Sequence, residues 1–125
     1  MGNSERGIGI SGIVAEACFG SSSSGYGLLA HRSAIGCIGT SVNSAGVFSD
    51  IARVCYGLST NGIGINARTA QGSYGQSSNG IGIQSVTAIL SVGNRSSGRA
   101  IQASLAVSSY AFSGTNYILL KYNMP

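Results

Sequence analysis

Gly62-Ile63-Gly64-Ile65-Asn66-Ala67-Arg68-Thr69-Ala70-Gln71-Gly72-Ser73-Tyr74-Gly75-Gln76-Ser77-Ser78-Asn79 ends where Gly80-Ile81-Gly82-Ile83 starts the same pattern again. The motif has earlier copies at Gly7-Ile8-Gly9-Ile10 and Gly25-Tyr26-Gly27-Leu28. Weaker copies stand at Ser44-Ala45-Gly46-Val47, Gly98-Arg99-Ala100-Ile101 and Asn116-Tyr117-Ile118-Leu119. Counted on the fourth residue, the positions run 10, 28, 47, 65, 83, 101, 119, so every step is 18 except one of 19. The extra residue falls near His31 to Ser33. Fixed-period self-similarity marks a repeat architecture and takes precedence over local propensity.

Other columns keep the same phase. An alanine column runs Ala15, Ala34, Ala52, Ala70, Ala88, Ala106. Three residues on stand Cys18, Cys37, Cys55, Ser73, Ser91, Ser109, then Phe19, Ile38, Tyr56, Tyr74, Val92, Tyr110, then Gly20, Gly39, Gly57, Gly75, Gly93, Ala111. Helical repeats need about 33 residues or more, since each holds two helices. With 20 Gly in 125 residues, helix is disfavoured in any case. Short β-branched and aromatic pieces between Gly/Ser/Asn clusters read as strands and turns. Eighteen residues then form one coil of an all-β, single-chain parallel β-solenoid. Six to seven rungs are expected, stacked at about 4.8 Å. A left-handed coil built from three hexapeptides wants an aliphatic residue every sixth position. The columns Glu16/Ile35/Arg53/Gln71/Ile89/Val107 and Ser22/Ser41/Ser59/Ser77/Arg95/Ser113 break that rule, which favours the right-handed form.

The repeat resembles those of parallel β-helix proteins of the kind found in bacterial surface or phage-like fibres. The resemblance covers Gly7 to the end. It implies the solenoid architecture. The expected function is a structural, non-enzymatic module, the C-terminal end of a fibre or surface appendage that self-associates, located outside the cell or on a cell or virion surface. Solenoids host many functions, so carbohydrate binding or processing and ice or surface binding stand as alternatives. The expected organisation is a polar leader at 1–6, solenoid repeats at 7–115 and a capping segment at 116–125. Without large groups before Gly7, the first rung is expected to need a neighbour or a preceding segment.

Composition narrows the chemistry. Only Glu5, Glu16 and Asp50 are acidic, and the chain holds one His. No paired carboxylates and no nucleophile–base–orienter set can be assembled, so no catalytic residues are assigned. The column holding His31 or Arg32, Asp50 and Arg68 reads as a solvated ion ladder. Cys18, Cys37 and Cys55 lack a CxxC pair or a His partner. Ser replaces them in later coils, so they read as small buried groups, and no metal or cofactor is expected. The seven basic residues fall in different columns, which leaves no stripe for nucleic acid. No apolar run reaches the roughly 18 residues of a membrane helix, so membrane insertion is not expected.

Apolar residues exceed what a narrow coil can hold. Alternation along a strand puts the Cys/Ser and Gly columns on one face and the aromatic column on the other. Small residues suit a narrow interior, which favours Cys/Ser inside and aromatics outside, with the reverse, aromatics stacked within the core, as the alternative. A self-association stripe is therefore expected from Phe19, Ile38, Tyr56, Tyr74, Val92 and Tyr110, together with Ile8, Tyr26, Ile63 and Ile81, extended by Leu29 and Phe48. Such a stripe exceeds what soluble monomers expose. The expected partner is a second copy of the chain. A homotrimer is favoured, with a dimer or an end-to-end filament as the other outcomes. A surface glycan is the alternative partner.

Overall fold

The computed structural model describes residues 2–122, and within them all side chains except those of residues 95–98, 110 and 112–122. Among the described residues there are only strands and turns. They are β1 (Gly2–Ser4), β2 (Ile10–Glu16), β3 (Phe19–Ser22), β4 (Leu28–Ile35), β5 (Ile38–Ser41), β6 (Val47–Arg53), β7 (Tyr56–Ser59), β8 (Ile63–Gln71), β9 (Tyr74–Ser77), β10 (Ile81–Ile89), β11 (Val92–Val107) and β12 (Tyr110–Tyr122). Each coil has one short and one long strand. The short strands β1, β3, β5, β7 and β9 stack as one parallel sheet, and the long strands β2, β4, β6, β8 and β10 as another. β11 has 16 residues, enough to serve both sheets, and it joins them. The molecule is a parallel β-solenoid of about six coils. Three of the six leader residues, Gly2 to Ser4, are themselves β1 and pair with Gly20 to Ser22.

The register follows the repeat. Tyr56 lies opposite Tyr74, Ile65 opposite Ile83, and Ala70 opposite Ala88. The additional residue of the second coil sits where the 19-residue step located it. His31 and Arg32 together face Ile13 on one side and Asp50 on the other, between the pairs of Ala30 and Ser33. This bulge is tolerated because the position lies on an outer bend. The ladders skip Asp50, Arg68 and Val86, all exposed, while Ala67 and Ala70 on either side of Arg68 are both buried. Two inward residues three apart require the long strand to turn a corner between them, since strict alternation would separate them by two.

The last coil departs from the 18-residue step. Val92 pairs with Tyr110, but Ile101 pairs with Asn116 and Ala106 with Lys121, a step of 15. Leu119 therefore does not continue the Ile101 column, and Tyr117 faces Gln102 rather than extending the Ile81 column. The register shifts fall between Gly93 and Ile101. In this stretch the Ser77-Ser78-Asn79-Gly80 turn gives way to Arg95-Ser96-Ser97-Gly98. The side chains expected to cap the last coil, from Tyr117 onward, lie outside the described residues.

The core is narrow. Leu28, Val47, Ile65, Ile83 and Ile101 are fully buried, as are Ala34, Ala52, Ala70, Ala88 and Ala106. The two sheets approach so closely elsewhere that Cβ atoms do not fit. A Cβ on Gly57 would run into the Gly64 carbonyl of the same coil, and one on Gly64 would lie 2.5 Å from the Gln76 backbone nitrogen. This close approach is the physical content of the Gly-x-Gly-Ile signature. Buried serines tie coil to coil. Ser59 Oγ donates to the Ser44 carbonyl at 2.7 Å and accepts from the Gly62 N–H at 2.9 Å, and Ser77 repeats this with Gly62 and Gly80. The hydroxyl thus satisfies two turn groups that burial would otherwise strand.

The Cys/Ser column points inward. Cys55 Sγ donates to the Ala34 carbonyl at 3.1 Å, and Ser73 Oγ donates to the Ala52 carbonyl at 3.2 Å. Thiol and hydroxyl thus fill one role, which explains their exchange along the column. Just before it, every coil turns through a positive φ: Ala17 (49°), Gly36 (61°), Val54 (51°), Gly72 (58°), Leu90 (49°) and Ser108 (48°).

Candidate functional site

The outer face of the short-strand sheet is built from two ladders. Residues two apart on a strand share a face, and in-register stacking turns each such position into a column. One column is Phe19, Ile38, Tyr56, Tyr74 and Val92, with the backbone of Tyr110 paired to Val92. Phe19, Ile38 and Tyr56 are exposed, Tyr56 at 38 %, and Tyr74 and Val92 are half-buried. The Tyr110 side chain lies outside the described residues. The Tyr56 and Tyr74 rings stack with centroids 4.8 Å apart and planes 5° from parallel. The second column is Ser21, Thr40, Leu58, Gln76 and Asn94. Thr40 Oγ1 donates to Ser21 Oγ at 2.9 Å, and Asn94 Nδ2 donates to the Tyr74 hydroxyl at 2.8 Å. Neither column contains an acidic residue, a lysine, an arginine or a histidine.

Ile8, Tyr26, Ile63 and Ile81 lie elsewhere, on the long-strand side of the coil. Their column is held together by Gly9 donating to the Tyr26 carbonyl, Gly27 to that of Ala45, and Gly46 to that of Ile63. Ile8 is exposed, Tyr26, Ile63 and Ile81 are half-buried, and Ala45 is buried. Tyr26 packs on Phe48, with ring centroids 4.9 Å apart and planes tilted by 35°. The ten stripe residues therefore divide between two ladders. The turn between them carries an asparagine ladder, with Asn61 Nδ2 donating to Asn43 Oδ1 at 3.0 Å and Asn79 Nδ2 to Asn61 Oδ1 at 2.8 Å.

The most exposed large apolar groups lie in neither ladder. Val54 is 69 % exposed and Leu90 62 %, both in the positive-φ turn, while Ile13 and Val86 project from the bend of the long strand. Sequence reasoning passed over them because their columns mix residue types. The signal was present in Gly36 and Gly72, since glycine in some coils of a variable column marks a left-handed turn and hence an outer edge.

One ion pair of the described residues lies on the bend of the long strands. Arg68 Nε lies 3.5 Å from Asp50 Oδ1, both exposed, and His31 occupies the adjacent coil of the same column. Water screens such a pair, so it contributes little to stability. Burial pushes the Cys37 and Cys55 thiols above the ordinary thiol pKa. Among the described residues, no three His, Cys, Asp or Glu side chains gather as a metal set.

These features define the class, a parallel β-solenoid repeat protein with one uncharged ladder face and one small charged corner. No protein-family model, curated protein or solved structure matches the chain.

Proposed function

We propose that this chain is a non-enzymatic structural module of a fibre or surface appendage, which self-associates through the outer face of its short-strand sheet. One observation carries this proposal: two in-register uncharged columns, one apolar and one polar except for Leu58, run along successive coils of that face. An extended apolar strip of this kind marks an interaction surface. The stacked geometry favours protein over sugar as its occupant. Tyr56 and Tyr74 each cover one ring face of the other, whereas a sugar packs on an open ring face. A parallel trimer buries one lengthwise strip per copy under closed symmetry. Fibre membership and a surface location rest on the repeat's resemblance to fibre β-helices.

Sedimentation at micromolar concentration tests the proposal. The expected result is a discrete oligomer, with the Tyr56→Asp/Tyr74→Asp variant falling to the 12.6 kDa monomer. A parent chain that sediments as a well-behaved monomer overturns it.

A further inference from the structure

The outer face of the long-strand sheet carries a groove of about 240 Å3 that the self-association face does not use. Phe48 and Asn66 form one wall, and His31, Asp50 and Arg68 the other. The two walls are positions two apart on the strand, so they share a face, with the backbone of Ser49 and Ala67 between them.

The groove has a cause in the sequence. Phe48 stands in register with Asn66 on the next coil. One side of the Phe48 ring packs against Tyr26. On the other side the ladder drops from an aromatic ring to a short amide, and the half-buried Phe48 lines the groove beside Asn66.

We propose that this groove binds a neutral sugar unit of a glycan. The Phe48 ring takes the apolar C–H side of a pyranose. The Asp50 carboxylate accepts hydrogen bonds from sugar hydroxyls, the Arg68 guanidinium donates to them, and the Asn66 amide does both. The contact between Asp50 and Arg68 holds both groups at the rim and offsets their charge locally. With Asp50 and Arg68 paired, the groove presents no net charge, which suits an uncharged ligand. The volume equals that of about eight liquid waters, the scale of one hexose. The site lies on the opposite strand set from the self-association face, so the two proposals stand or fall separately.

The test is an NMR titration of the full chain with cellohexaose, maltohexaose, laminarihexaose, mannohexaose and chitohexaose, with a heparin hexasaccharide as anionic control. At least one neutral oligosaccharide is expected to shift the Phe48 and Asn66 resonances saturably. Phe48→Ala is expected to weaken that binding by about tenfold or more, while Leu90→Ala, at an exposed turn position away from the groove, binds as the parent does. Asn66→Phe provides the second variant, since it refills the groove by stacking on Phe48, and it is expected to abolish binding in a chain that melts like the parent. The proposal is overturned if no neutral probe binds up to about 10 mM, if only heparin binds, or if both variants bind like the parent.

Discussion

The backbone at Gly57 passes so close to the carbonyl oxygen of Gly64, on the facing sheet of the same coil, that no Cβ fits between them. Gly39 and Gly46 repeat the relationship one coil earlier, and Gly75 and Gly82 one coil later. Because the obstacle is backbone, it cannot rotate away. Gly57→Ala is expected to destabilise the fold by about 3 kcal/mol or more, the upper range for overpacking. Gly12→Ala is the control. A Cβ there meets nothing closer than the Val14 carbonyl oxygen at 3.7 Å, and alanine in a strand is better than glycine by about 0.5–1 kcal/mol. Urea unfolding of the two variants beside the parent checks the contrast. Equal losses would show that the sheets are not in close contact at Gly57.

Ser49 stands in an inward column between Ala30 and Ala67, and its buried hydroxyl has no hydrogen-bond partner. The desolvated hydroxyl costs free energy that nothing returns. Ser49→Ala copies the residue of the coils on either side and is expected to raise stability by about 1 kcal/mol. Ser59→Ala is expected to do the opposite, by about 1–3 kcal/mol, since its hydroxyl serves both the Ser44 carbonyl and the Gly62 N–H. Chemical denaturation midpoints distinguish the two. A Ser49→Ala variant less stable than the parent would sink the account.

The period was legible because the coil is narrow. Where backbones nearly touch, only Gly57 and its equivalents fit, and where one methyl fits, only Ala70 and its equivalents, so identity itself marks the column. The orientation of the Tyr56 column followed from the small residues on either side of it. Two things were not legible. The groove beside Phe48 arises from a size step between neighbouring coils, which a search for constant columns discards. The 15-residue step of the last coil was hidden because Tyr117-Ile118-Leu119 preserves an apolar pattern while the turn that sets the register changes. Backbone path there depends on turn closure, to which the apolar pattern is indifferent.

Val54 holds φ at 51° with a β-branched side chain that is largely exposed. A left-handed backbone costs a non-glycine residue about 1–2 kcal/mol, and its branched Cβ makes the clash worse. Gly36 and Gly72 hold the same turn in the adjacent coils without that cost. Val54→Gly is expected to stabilise the chain by about 1 kcal/mol, the relief exceeding the extra chain entropy of glycine. Replacing Val54 with Ile, which keeps the strain and adds only an exposed methylene, should leave the melting midpoint unchanged. Calorimetry on both variants checks the prediction, and a destabilised Val54→Gly would refute it.

Cys37 and Cys55 make stability fall in alkali. Burial disfavours the thiolate and raises both thiols above the usual 9.0, only partly offset by backbone hydrogen bonds. A native-state pKa above the unfolded value means that the folded chain retains its protons while the unfolded chain loses them. The stabilising effect is complete below the unfolded thiol pKa of about 9 and is lost as pH rises through the higher folded values. Stability should therefore be flat across neutral pH and decline above it. The Cys18→Ser/Cys37→Ser/Cys55→Ser variant should fold, because Ser73, Ser91 and Ser109 already serve this column, each donating to a carbonyl. With no thiol to ionise, its decline above pH 9 should be shallower than the parent's. Urea midpoints at pH 7 and at pH 10 measure the difference. Identical alkaline losses would place the thiols in contact with water, and failure of the triple variant to fold would mean that sulfur contributes something that a serine hydroxyl cannot.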